Sequence, residues 1–106
     1  MKITVHCKNA DSLLKKIKSR LNSEESKTWE IKLNANDEPL FNHSPNQWSE
    51  KVLLKPSKVD NGLLIETKYW RGRDVPAEEI KGYVIGRFVE VLMVHFRKEF
   101  DFIEVS

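Results

Sequence analysis

The 106 residues include a single cysteine, Cys7, which excludes an internal disulfide and any multi-cysteine zinc site and marks Cys7 as a small core residue. With only four glycines and four prolines, there is no repeat and no low-complexity segment. No apolar run approaches the roughly 18 residues of a membrane span. The opening Met1–Cys7 returns to polar residues too soon for the apolar middle of a signal peptide, so a cytoplasmic location is the expectation. A charge of one sign is lacking too, because 18 Lys and Arg against 16 Asp and Glu leave a net charge of +2. The chain also has no phosphate-binding glycine pattern, no nucleophile elbow and no metal-ligand spacing. No cofactor and no metal are therefore expected, and catalysis is the least supported class.

What is present suits one folded domain over residues 1–106. Apolar residues make up 40% and charged residues 32%, and a chain of this size buries roughly 65% of its unfolded surface in one core. The charges alternate by segment. Residues 1–27 hold seven bases and three acids, 28–50 one and four, 51–73 six and two, and 74–106 four and seven. If segments stay together in space, the surface is bipolar and suits an oriented charged partner better than uniform coating of nucleic acid.

Ile3, Val5 and Cys7 alternate with Lys2, Thr4 and His6 as in a half-buried strand. A helix follows, capped by Asp11 or Ser12, with Leu13, Leu14, Ile17 and Leu21 in one arc and lysines outside it. Trp29, Ile31 and Leu33 mark a second strand. Residues 34–49 hold four of the chain's asparagines and two of its prolines and read as a long loop. Val52–Pro56 and Leu63–Trp70 form a hairpin around Asp60-Asn61-Gly62. Pro76-Ala77-Glu78-Glu79 starts a helix that runs to about Phe100, about 24 residues, twice the mean length of about 12. Asp101–Val105 adds an edge strand. The expected fold is α+β: a single mixed or antiparallel sheet of four to five strands, order β-α-β-β-β-α-(β), with two helices on one face.

Apolar residues cover more than half the circumference of the last helix, so it must bury more than one face. Gly82 and Gly86 share a face, which predicts close packing by the first helix or, as the alternative, a homodimer contact; monomer and homodimer both remain open.

The candidate binding residues lie in two places. Asp37, Glu38, Leu40, Phe41 and His43 belong to the 34–49 loop, where acids and large apolar groups suit anchoring in a protein groove. Trp70, Arg71 and Arg73 end the fourth strand, with Trp70 on the outward face and Tyr69 in the core by parity. The bland alternatives are a satellite core under the loop, and a turn whose arginines meet only solvent. His95 falls among apolar positions and is expected to be buried, whereas His43 is free for a ligand and converges with His6 only if the loop folds over the sheet. A protein partner is the leading expectation, as for an inhibitor or immunity protein that neutralises its target. The alternative is single-stranded nucleic acid on the basic and aromatic sheet face.

Overall fold

A computed structural model describes residues 1–106. Six strands and two helices follow one another as β1 (Lys2–His6), α1 (Ala10–Leu21), β2 (Trp29–Leu33), β3 (Pro39–His43), β4 (Leu53–Val59), β5 (Gly62–Lys68), α2 (Glu78–His95) and β6 (Phe102–Val105). All pairings are antiparallel, and the sheet order is β2-β3-β4-β5-β1-β6. The α+β class and the helix order agree with the sequence reading, but the strand count is six rather than four or five.

The added strand, β3, lies inside the expected loop. Its residues are nearly all buried because neighbours on both sides and covers on both faces leave no solvent side to alternate with. The asparagines before it build a turn. Asn34 Oδ1 accepts from the Asn36 and Glu38 amides at 2.9 Å each, and Asp37 takes a left-handed φ of 59°, a conformation that short polar side chains tolerate.

Register sorts the two faces. Ile3 pairs with Ile65, Val5 with Leu63, and Phe41 with both Ile31 and Leu54. These side chains join Leu13, Ile17 and Leu21 of α1 and Val84, Ile85, Phe88 and Leu92 of α2 in one core. Both helices therefore cover the same face. The opposite face carries Lys2, Thr4, His6, Glu66, Lys68, Glu30 and Lys32, as alternation predicts.

α1 is capped by Asn9, whose side chain accepts from the Ser12 amide at 2.9 Å, rather than by Asp11 or Ser12. α2 stops at His95, not near Phe100; Phe96 leaves helical geometry at φ −128°. A single 3-10 turn over Arg97–Glu99 then brings Phe100, like Phe96, into the core.

Three other expectations are corrected. Tyr69 lies beyond the end of β5, where no register partner remains, and is 44% exposed. His95 is also exposed, with Arg20 Nη2 donating to its Nε2 at 3.2 Å. No side chain packs onto the glycines of α2, since a methyl group at Gly82 or Gly86 would meet no atom within 4 Å. α1 instead lies against β2, β4 and β5.

Candidate interaction site

The segment joining β3 to β4 is held by one buried amide. Asn42, fully buried, donates from Nδ2 to Glu30 Oε1 at 2.8 Å and to Ser49 Oγ at 3.3 Å. Its Oδ1 accepts from the Glu50 amide at 2.8 Å. Glu50, at φ 60°, in turn accepts from Trp70 Nε1 at 3.1 Å. A helical turn starting at Pro45 is closed by bonds from the Trp48 and Ser49 amides to the Pro45 carbonyl at 2.8 and 2.9 Å. That turn sets Trp48 against Tyr83 of α2, with ring centroids 5.3 Å apart.

Between this segment and α2 lies an open cleft of about 440 Å³. Its floor is Trp29 and His43, which stack with centroids 4.6 Å apart. Below them Phe88 meets Trp29 edge-on at 5.1 Å and lies parallel to Phe41 at 5.4 Å, so the floor belongs to the core. The walls are Trp48 on one side and Arg87, Glu90 and Val94 of α2 on the other.

His43 Nδ1 lies 2.8 Å from the Thr28 carbonyl oxygen. A carbonyl only accepts, so Nδ1 carries the proton and Nε2 is left as an acceptor. Burial holds the His43 pKa below its usual value; the Thr28 bond opposes this, the Arg87 charge adds to it and Glu90 opposes it. A neutral imidazole therefore lines the cleft at neutral pH. Arg87 and Glu90 stand 3.8 Å apart on the exposed side of α2, a loose pair that leaves both groups open to a ligand. The cleft can thus offer an aromatic wall, a neutral imidazole and one charge of each sign.

The sequence-predicted binding residues do not form one surface. Asp37 is exposed at the tip of the β2–β3 hairpin. Glu38 beside it is held by Asn34 Nδ2 at 3.0 Å and Lys55 Nζ at 3.3 Å, and these contacts, the Asn34 bond first, pull its carboxyl below the usual range. Leu40 and Phe41 are buried in β3, not displayed by a loop. Trp70 is half-buried at the opposite end of β3 from Asp37 and spends its N–H on Glu50. Arg71 and Arg73 are exposed in the turn beyond it, where Gly72 has φ 85°.

His43 is the one predicted residue that lines the cleft. It does not meet His6, which lies on the other sheet face with β4 and β5 between their strands. His6 instead bonds Glu104 at 2.6 Å and stacks on Phe102 at 4.1 Å. The residues that sequence reasoning missed are Tyr83, Arg87 and Val94, on the outer side of α2. The excess breadth of that helix's apolar arc was the available signal. Comparisons with protein-family models, with curated proteins and with solved structures find no match.

Proposed function

We propose that the chain is a small protein-recognition module that docks a partner protein in the cleft between the β3–β4 segment and α2. One observation carries this reading: Trp48 and Arg87 line the cleft and Tyr83 packs on Trp48 at its edge, with Tyr83 61% and Val94 67% exposed. Trp, Tyr and Arg are the residue types that dominate binding hot spots, and large apolar groups left open beside a concave core surface mark interaction sites. A neutralising role in the cytosol, as inhibitor or immunity protein, asks least of the chain, since it needs a surface and no reacting group.

Nucleic acid has weaker support. On the open sheet face Trp70 is bonded to Glu50, and the other aromatic group, Phe102 stacked on His6, stands beside Glu104. Carboxylates at Glu30, Glu66 and Glu104 interrupt the lysines there and would repel phosphate.

The test is capture of partners from native cytosol by the tagged chain, with nuclease present, comparing wild type with Trp48→Ala and Arg87→Ala. A stoichiometric protein is expected for wild type. Each variant should bind it at least about ten-fold more weakly, since hot-spot losses run near 2 kcal/mol. Equal capture by the variants would remove the cleft as the docking site.

A further inference from the structure

His43 sits on the cleft floor with 6% of its surface exposed. Its one hydrogen bond uses Nδ1, which donates to the Thr28 carbonyl at 2.8 Å, so Nε2 keeps a free lone pair. No fully buried side-chain nitrogen or oxygen in the chain lacks a partner. Nε2 is therefore not sealed in the core; it reaches the surface where the ring lines the cleft. The core thus ends in one polar atom, an acceptor set among the rings of Trp29 and Trp48.

An atom so placed selects what can cover it. An aliphatic or phenyl group would strip water from Nε2 and return no hydrogen bond, leaving a stranded acceptor. A carboxylate or phosphate would face that lone pair and Glu90, while an ammonium or guanidinium would face Arg87, whose charge also bears on the His43 ring. Arg87 and Glu90 are 3.8 Å apart, so the two rim charges offset each other. The group that fits is uncharged, flat enough to lie against tryptophan and furnished with a donor. An indole N–H donates but offers Arg87 nothing, whereas a phenol hydroxyl both donates and accepts. The cleft's 440 Å³ lies within the roughly 300–1,000 Å³ of small-ligand sites, room enough for one aromatic side chain. We propose, building on the cleft as the docking site for a protein, that it receives a tyrosine side chain of the partner, its hydroxyl donating to His43 Nε2 and accepting from Arg87, its ring against Trp48.

N-acetyl-tyrosinamide serves as the probe, with the N-acetyl amides of phenylalanine and O-methyl-tyrosine as controls. The first control lacks the oxygen; the second keeps it but has no proton to donate. Each is titrated into the ¹⁵N-labelled chain through the millimolar range, where a single side chain binds, and read at the indole resonances of Trp29 and Trp48 and at His43 Nε2. The tyrosinamide is expected to shift all three and to bind about five-fold or more tightly than either control, since only it satisfies the acceptor. In His43→Phe, which keeps a ring beside Trp29 but no acceptor, the preference should vanish. Folding of that variant is checked by thermal melting, and the two controls decide the matter on the wild type if the fold is lost.

A tyrosinamide that does not bind, equal binding of the three amides, or shifts that leave Nε2 unmoved would overturn the proposal. If the amides bind equally while Trp48→Ala and Arg87→Ala still weaken capture of the partner, the cleft docks a protein by some other group. If capture is indifferent to both variants, the docking site itself is lost and the tyrosine with it.

Discussion

Asn42 shows how a single side chain can determine the site. It is fully buried between a strand partner and the following segment, and all its polar atoms have partners. Asn42→Ala leaves the Glu50 amide unbonded and removes the amide's link to Glu30 and Ser49. The expected loss is about 2 kcal/mol in urea unfolding, together with weaker partner capture, since the segment carrying Trp48 is no longer tethered. His43 makes a second prediction at this scale. Burial lowers its pKa in the folded state from the ordinary 6.5, so the unfolded chain binds more protons and acid favours unfolding. The stability His43 contributes is complete above about pH 6.5 and is lost as the pH falls toward its folded-state value. Measured against His43→Gln, the wild type should lose stability over that window, and parallel stability-versus-pH curves would contradict the assignment. His43 was legible as a candidate, though not as a buried group, and Asn42 was not legible at all. Asn42 resembled one more loop asparagine, because the hydrogen-bond partners that define it come from β2 and from the segment after β3.

At the level of elements, periodicity was legible where an element has one wet side. β1, β2, β5 and α1 each alternate or repeat cleanly, and the structure places Ile3, Val5, Trp29, Leu63, Ile65, Leu13, Ile17 and Leu21 in the core, with Leu33 exposed at the end of β2. β3 was not legible, because Pro39-Leu40-Phe41-Asn42-His43 is buried on both faces and its asparagine and proline imitate loop chemistry. α2 was legible as a helix but not in its packing. Its broad apolar arc predicted a second buried face, whereas the protomer leaves Tyr83, Met93 and Val94 exposed. Gly86 can measure what that open flank does. In the monomer a methyl group there meets nothing within 4 Å, so Gly86→Ala should stabilise the dilute chain by about 0.5–1 kcal/mol. Its melting temperature should rise accordingly. A fall in the melting temperature would mean that the flank is packed inside the protomer.

For the whole molecule, two ion pairs join segments of opposite charge. Lys16 from the first basic segment bonds Glu99 from the last acidic one at 2.9 Å, and Lys55 meets Glu38 at 3.3 Å. Composition could not show this, since the pairs join residues far apart in the chain. Such exposed pairs contribute between 0 and about 1 kcal/mol each and are screened by salt, so the fold's stability rests on the core rather than on them. The consequence reaches binding. The proposed cleft works through Trp48, the Tyr83 packed on it and one loose Arg87–Glu90 pair, so binding there displaces few counterions. Affinity for the captured partner should therefore change by less than about ten-fold between 50 and 200 mM salt, whereas a chain holding several phosphates would lose about 10³–10⁵-fold over the same range. Titrating the salt in the capture experiment separates the two, and a steep loss would return the open sheet face, with Lys2, Lys68 and Phe102, as the surface that binds.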